Sequence, residues 1–392
     1  MTSMKIAILA PPWLSTYPGC FYGIENVVHN LTTGLHKSGH EVVLFGVGGS
    51  TSPAAKRYWY HKEDQYKHIH RPWYEALPIV SAHILYALNV IRRAGDFDII
   101  HDHNSFTGPA MMAFADGGLP PILHTLHEPF TNEKLVKKGL PDNRMLFEEL
   151  TCAKNMFFNG VSKAQLRGVP RKLSKHIVGV VHNGIDLSDY TFLDKKQDYY
   201  LTVSRVGADK GQAIAAKICN ELDVPYKFAG TVGAVIKTKR QLEKALKQAG
   251  HGGDPSFLYF KNKIQPYLVP NKIEYMGTVF GERKMKLLAN AKAFLAPITW
   301  EEPFGIAVID ALASGTPVVA FRRGAFPEII QHGKNGFLAD TEAEFKKYMQ
   351  RVDEIKPTDC RASVEKYFSS QKMTESYIEK YQEVISRSQA LA

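Results

Sequence analysis

Two short stretches carry residue types and spacings that could act on a phosphorylated ligand. The first is Thr299 to Phe321, TWEEPFGIAVIDALASGTPVVAF. Pro303 suits the first turn of a helix and Gly315 suits its end. The peptide N–H groups at 304–306 then become the unpaired donors of a helix N-terminus, open to hydroxyl or phosphate oxygens. Glu302 precedes that helix and Asp310 lies eight residues further on, about 12 Å along an axis that rises about 1.5 Å per residue. One carboxylate could hold a sugar and the other a ribose of one extended ligand. The same features also describe a plain capped helix whose N-terminal acid is favoured by the macrodipole. The second stretch is Ser204-Arg205-Val206-Gly207-Ala208-Asp209-Lys210-Gly211. It sets two cations around a glycine-containing turn, where they could clamp a diphosphate and neutralise its charge as it leaves. An ordinary strand-to-helix turn with two surface cations is the alternative.

Other chemistry-bearing patterns point elsewhere. Gly46 to Ser50, GVGGS, lacks the spacing of a dinucleotide fingerprint and follows the second strand rather than the first. Ser162 and Ser204 have no evident His/Asp partner pattern for nucleophilic catalysis. The four cysteines, at 20, 152, 219 and 360, form no Cys-x-x-Cys pair, so neither a disulfide framework nor a Cys-based zinc site is expected and a reducing cytoplasm fits.

The elements that must position these residues alternate between strand-like and helix-like runs. Lys5 to Ala10 reads as a buried parallel strand, and Ile24, Val27, Val28, Leu31 and Leu35 recur at helical spacing after Gly23. Gly39 stops that helix and Glu41 to Gly46 is the next strand. Further strands are expected at 98–101, 122–127, 156–161 and 177–181. After Asn183-Gly184-Ile185-Asp186 the pattern begins again, with strands at 199–204, 226–229, 273–275, 293–296 and 317–321 and a helix at 212–222. Two βα series imply an α/β protein of two doubly wound Rossmann-like domains facing across a cleft. The expected division is 1–185 and 186–372. An amphipathic terminal helix, 373–392, docks back on the first domain.

At 392 residues the chain is long enough for about two to three domains, and 44% apolar with 22% charged residues is ordinary globular usage. No apolar run approaches the ~18 residues of a membrane span; the best, Leu77 to Ile91, is short and contains His83 and Asn89. No secretion signal is visible. The net charge of +10 suits an anionic partner, but no arginine-rich tract or zinc-finger spacing supports nucleic acid. Residues 56–74 interleave Lys56, Arg57, Lys62, Lys67 and Arg71 with Tyr58, Trp59, Tyr60, Tyr66, Trp73 and Tyr74. Such a segment could meet an anionic membrane surface, or serve as a partly buried connection in the first domain.

Taken together, the chain resembles the retaining glycosyltransferases of family 4, with the two-Rossmann-domain GT-B architecture. The resemblance spans nearly the whole length. It is densest over Ile273 to Asp340, through EEPFGIAVIDALASGTPVVAFRRGAFPEII and GKNGFLAD, with anchors at GIENVVHNLTTGLHKSGHEV, FDIIHDHN, HTLHEP, VSKAQ, HNGID and VSRVGADKG. It implies that Arg205 and Lys210 hold the donor diphosphate and that Glu302 contacts the donor sugar. The chain around Pro303, Phe304, Gly305 and Ile306 would bind sugar hydroxyls, and Asp310 the nucleotide ribose. His127 would lie beside the donor sugar, and Tyr22, Gly23 and Glu25 would form the loop under the phosphates. Tyr22, His101 and His103 are also candidates for the acceptor side, His101-Asp102-His103 being read as structural or acceptor-side rather than metal-binding.

Two positions depart from the family pattern. Asp310 stands where the second acid is usually Glu, about 1.5 Å shorter, and Tyr22 replaces the first glycine of a Gly-Gly pair. The expected activity is transfer of a sugar from a nucleotide-diphosphate sugar to an acceptor hydroxyl with retention. The donor is a co-substrate, and neither a bound cofactor nor an essential metal is expected. The acceptor could be a sugar, a small molecule or a lipid-linked group, with the enzyme in the cytoplasm or at the inner face of a membrane. A nucleotide-sugar epimerase on the same fold and a catalytically silent sugar-nucleotide-binding scaffold are the rivals.

Overall fold

Most strands are short apolar runs buried on both faces, the pattern of a parallel sheet covered by helices. The computed structural model describes residues 3–20, 23–69, 72–115, 118–131, 136, 138–140, 142–233, 236–247 and 254–391. Among them the chain divides into two compact units, one of Met1–Asp186 with Ser369–Ala392 and one of Leu187–Phe368.

The first unit is built on β1 (Lys5–Leu9), β2 (Glu41–Gly46), β3 (Lys56–Trp59), β4 (Ile99–Asp102), β5 (Ile122–Leu126), β6 (Met156–Gly160) and β7 (Ile177–Val180). They form one parallel sheet in the order β3-β2-β1-β4-β5-β6-β7. The helix Gly23–Lys37 buries Val27, Val28, Leu31 and Leu35, as its spacing requires. The terminal helix Ser370–Gln389 is capped by Ser369, whose hydroxyl accepts from Lys372 N, and buries Met373, Tyr377, Ile378, Tyr381 and Val384. It packs beside the Gly23–Lys37 helix.

The opposite sheet face is covered by the helix Trp73–Ala94. Val80, His83, Ile84, Ala87, Leu88 and Ile91 point inward at helical spacing onto a core of Ala7, Leu9, Phe45, Ile100 and Phe158. This helix corrects the sequence reading of 77–91. It runs 22 residues, and Tyr74–Ala94 is long and apolar enough to cross a membrane by length and composition. The sequence also hid β3: its residues, KRYW, are mostly exposed and show no apolar run. A strand at the sheet edge needs none.

The second unit holds β8 (Tyr200–Val203), β9 (Tyr226–Ala229), β10 (Ile273–Tyr275), β11 (Ala293–Ala296), β12 (Val318–Phe321) and β13 (Gly336–Ala339). They form a parallel sheet in the order β10-β9-β8-β11-β12-β13. Tyr226, Phe228, Phe260, Leu295, Val319 and Phe345 fill its core.

Candidate active site

In the second unit, β8 and β11 are neighbours in the sheet, so the turns that follow them lie side by side. Thr299 donates through its backbone N to Asp209 O (2.9 Å) and through Oγ1 to Ala208 O (3.0 Å). Gly211 sits at φ +71°, where a Cβ would come 1.8 Å from Pro297 O, so only glycine permits this approach of two backbones. Gln212 Nε2 donates to Ser204 Oγ and Arg205 O, both at 2.9 Å, and braces the turn from below.

The stitching delivers Lys210 to Glu302. Lys210 Nζ lies 2.6 Å from Glu302 Oε2 and 4.6 Å from the centre of the Trp300 ring. The Trp300 indole donates through Nε1 to the same Glu302 oxygen at 3.0 Å. One ring therefore supports both members of the pair, through its negative face and its N–H. Arg205, 45% exposed in its side chain, pairs with Asp209 at 2.8 Å. Each of these cations is matched by one carboxylate. Nothing in the sequence reading assigned a role to Trp300, although it stands two residues before Glu302.

Three details of the first stretch are corrected. The helix begins at Ile306, not at 303, because Gly305 takes φ +99° as its N-cap. A Cβ there would lie 2.6 Å from Phe326. The open N–H donors therefore belong to the turn from Ile306, while Pro303 and Phe304 are buried and can offer a ligand only backbone. Phe304 packs edge-on against Phe368. Gly315, at φ +74°, does end the helix. The backbone of Glu302 is held from the turn after β12, where Ala325 N donates to Glu302 O at 2.9 Å. Asp310 is 1% exposed and committed: Tyr190 Oη donates to Oδ1 at 2.5 Å and Lys284 Nζ to Oδ2 at 2.6 Å. A ribose could reach this carboxylate only by displacing one of them. The partners stand 120 and 26 residues away in sequence, so no local pattern signals them.

The first unit carries a second polar cluster, at the ends of β4 and β5. Strand alternation sends His101 and Asp102 to opposite faces. Asp102 accepts from His124 Nδ1 (2.7 Å) and Asn104 Nδ2 (2.8 Å). His101 lies fully buried between Tyr381 Oη and Thr125 Oγ1, both at 2.7 Å. Thr125 donates its hydroxyl to Asn159 Oδ1 (2.8 Å). Its oxygen must then accept from His101 Nε2–H, leaving His101 Nδ1 to accept from the Tyr381 hydroxyl. Both ring nitrogens are taken, so His101 is corrected to a structural residue without access to an acceptor.

His103 is buried directly behind His127, with its Nδ1 3.0 Å from His127 Nε2. His103 Nε2 is buried without a partner. A bare lone pair there is less costly than a buried N–H, which puts the shared proton on His103 Nδ1 and leaves His127 with its proton on Nδ1. Burial, with His124 adding to it, lowers the pKa of His127 to about 3. The ring is thus a neutral donor rather than a cation. His103 is fully buried, so it would act on a ligand by orienting His127. Gly23 opens the helix Gly23–Lys37, and Glu25 in its first turn is pushed up to about 7 by burial, with Asp64 adding to the effect. Tyr22 lies outside the described residues.

Two parallel doubly wound sheets, one ending in an Arg/Lys/Glu cluster beside a helix N-terminus, define the class of two-Rossmann-domain α/β proteins. The family model for glycosyl transferases group 1 matches residues 188–367, and that for Glycosyltransferase Family 4 matches residues 21–189. The chain belongs to the family 4-like glycosyltransferases of GT-B architecture. It is 24% identical over 208 residues to an N-acetyl-alpha-D-glucosaminyl L-malate synthase of Bacillus anthracis, covering 50% of this chain and 53% of the relative. It is 25% identical over 269 residues to an MMP alpha-(1->4)-mannosyltransferase of Mycolicibacterium hassiacum, covering 66% and 62%. These alignments therefore span about half to three fifths of the relatives' length. The fold matches that of HepE from Anabaena in complex with UDP and glucose, with a TM-score of 0.66 at 16% identity over 97% of this chain and 100% of that one.

Proposed function

We propose that the chain transfers a sugar from a nucleotide-diphosphate donor to an acceptor hydroxyl with retention at the anomeric carbon. The observation that carries this reading is the Lys210–Glu302 pair over Trp300, beside Arg205 and the helix opened by Gly305. A diphosphate entering here competes with Asp209 and Glu302 for the two cations. Exchanging one carboxylate for several phosphate oxygens favours the ligand. Glu302, released from Lys210, then accepts from sugar hydroxyls, while the helix N-terminus donates to them.

In the reaction, the bond between the anomeric carbon and the phosphate oxygen breaks as the acceptor oxygen bonds to the same face of that carbon. The acceptor proton passes to the departing phosphate, whose charge Arg205 and Lys210 stabilise. With Glu302 engaged by the Trp300 N–H and by sugar hydroxyls, positioning and charge support this route better than a side-chain nucleophile. Two cations in the site supply the charge that a divalent ion would otherwise provide, so transfer is expected to survive a chelator.

Uridine diphosphate heads the donors to test, because the fold-matched HepE was solved with UDP and glucose. Melting curves with a panel of nucleoside diphosphates and their sugars, with and without chelator, check the donor site. Binding adds RT ln(1 + [L]/Kd) to stability, so one base should raise Tm with the chelator present. No shift at about 1 mM ligand, where a Kd of about 10 μM would add nearly 3 kcal/mol, overturns the donor site and moves the silent scaffold forward. Proton NMR of the product formed from an α-configured donor reads the stereochemistry: an α-glycoside is expected, and a β-glycoside refutes retention.

A further inference from the structure

We infer that the outer face of the helix Trp73–Ala94, with Trp59 and Tyr60 at the edge of the first sheet, docks flat on an anionic lipid bilayer. Length and composition alone would let this helix span a membrane. Its inward face forbids that. Ile84, Ala87, Leu88 and Ile91 are sealed in the core, and His83 Nε2 donates to Ala10 O at 2.9 Å. A helix fixed along one side to a sheet can lie in the headgroup layer but cannot cross it.

The outward face carries large apolar side chains among its polar ones, Glu75, Asn89, Arg92 and Arg93. Tyr74, at 62%, and Leu85, at 51%, are the most exposed of its large apolar side chains, and Leu77 joins them. At about 100° per residue the three fall within an arc of about 80°. Trp59 and Tyr60 extend the surface and are likewise exposed. The segment carrying them is tied to the helix at two points. His61 Nε2 donates to Ile79 O at 2.9 Å, and the Tyr60 ring lies 6.0 Å from that of Tyr86. The structure also divides the aromatic-basic segment of the sequence. Tyr58 turns inward and stacks on Phe45 at 5.4 Å, Tyr66 is half-buried, and His70 and Arg71 lie outside the described residues.

Charge selects the occupant. Lys56, Arg57, Lys62, Lys67 and Arg93 are exposed along β3, the segment after it and the helix end, against exposed Glu63, Asp64 and Glu75. A second copy of the chain would bring the same positive excess to the contact. An anionic headgroup layer complements it, and takes Trp and Tyr at its boundary with the acyl chains.

The test uses the full chain and co-sedimentation with two vesicle types, phosphatidylcholine alone and phosphatidylcholine with about 30% phosphatidylglycerol, at low and high salt. Binding to the anionic vesicles is expected to exceed that to neutral ones at least ~10-fold and to fall steeply with salt. Leu85→Glu should lower anionic binding about 10-fold, and Lys56→Glu with Lys62→Glu should remove the preference for anionic lipid. Both changes fall on exposed side chains, and an unchanged Tm confirms that each variant is folded. Equal binding to the two vesicle types, no binding, or a Leu85→Glu variant that binds normally overturns the inference. So does a concentration-dependent dimer in sedimentation equilibrium that Leu85→Glu abolishes, since the face would then belong to a second copy. None of these readouts depends on glycosyl transfer.

Discussion

The polar clusters at the strand ends of the two sheets are built on opposite principles. In the second unit the site is ionic and open. Arg205 faces Asp209, Lys210 faces Glu302, and each pair retains exposure through which a ligand could exchange one partner for another. In the first unit the hydrogen-bonded chain that holds His101 is uncharged and largely sealed. Tyr381, His101, Thr125 and Asn159 satisfy one another in a chain of hydrogen bonds, and His127 is kept uncharged by burial. Exchangeable charge suits a group that arrives and leaves as an anion. A locked neutral chain suits orientation, because a buried network with every member satisfied has one arrangement. Removing a charge from the second unit should therefore cost rate with little stability, and removing a hydroxyl from the first should cost stability with little rate.

The sharpest way to break that contrast is Lys210→Ala. Loss of one electrostatic donor to the leaving group is expected to cut kcat at least ~100-fold, with Tm moving by no more than about 2 °C. Steady-state transfer assays beside melting curves check both. Near-normal turnover sinks the diphosphate role, and a large fall in Tm erases the contrast between the units.

Next in size is a pH effect that belongs to the first unit alone. Glu25 is held near 7, against an ordinary 4.5, chiefly by burial. The folded state binds its proton more tightly than the unfolded chain does. This contribution is fully present below pH 4.5 and is lost as pH rises through 7, a fall of about 3 kcal/mol. Urea unfolding across that window should show the slope in the native chain and its absence in Glu25→Gln. His127 works the other way: lowered to about 3, it favours folding above its unfolded pKa and withdraws that support as pH drops. A parallel pair of curves for native chain and Glu25→Gln refutes the assignment to Glu25.

How much of this was legible in the sequence depended on how local the cause was. The buried strands announced themselves, because a parallel strand covered on both faces is simply a short apolar run. β3 did not, since an exposed edge strand reading KRYW has no such run. Arg205, Lys210 and Glu302 stood out because strand-to-helix turns present their side chains at strand ends, and the structure brings Lys210 onto Glu302. The helix start was misjudged by three residues because Pro303 is a familiar helix opener, whereas Gly305 adopts a left-handed conformation that no spacing rule reports. The surroundings of Asp310 and His101 were hidden for a different reason. Their fate is decided by Tyr190, Lys284 and Tyr381, residues brought in by tertiary packing, and a side chain that could bind a ligand looks the same in sequence as one already occupied. Trp300 lay in plain view within the best motif; what hid it is that an aromatic beside charges reads as core until its N–H is seen on Glu302.

A smaller effect separates the two services of Trp300. Phenylalanine keeps a ring face over Lys210 but loses the N–H to Glu302, so Trp300→Phe should lower kcat about 10-fold, the worth of one charge-assisted hydrogen bond. Leucine loses both and should approach the Lys210→Ala phenotype. If Trp300→Phe and Trp300→Leu are equally impaired, the ring face contributes nothing, and Lys210 is held by Glu302 alone.

The smallest expected change sharpens the comparison from the other side. Tyr381→Phe deletes a single hydroxyl on the terminal helix and leaves the aromatic packing of Tyr381 against Tyr377 and His101 in place. What is lost is the proton donated to His101 Nδ1 at 2.7 Å, and because His101 is fully buried no water replaces it. The cost should be about 1 kcal/mol, a fall in Tm of about 2–4 °C, with kcat unchanged within about 2-fold since the hydroxyl only fixes a tautomer away from any ligand. Thr125→Val removes the other partner of the same ring, and the two changes share one network, so their combined cost should fall short of the sum. Strict additivity in a double-mutant cycle would mean that His101 is not the link between them. A fall in kcat as large as that of Lys210→Ala would show that the sealed network orients the reacting groups after all, and that the two units differ in exposure but not in kind.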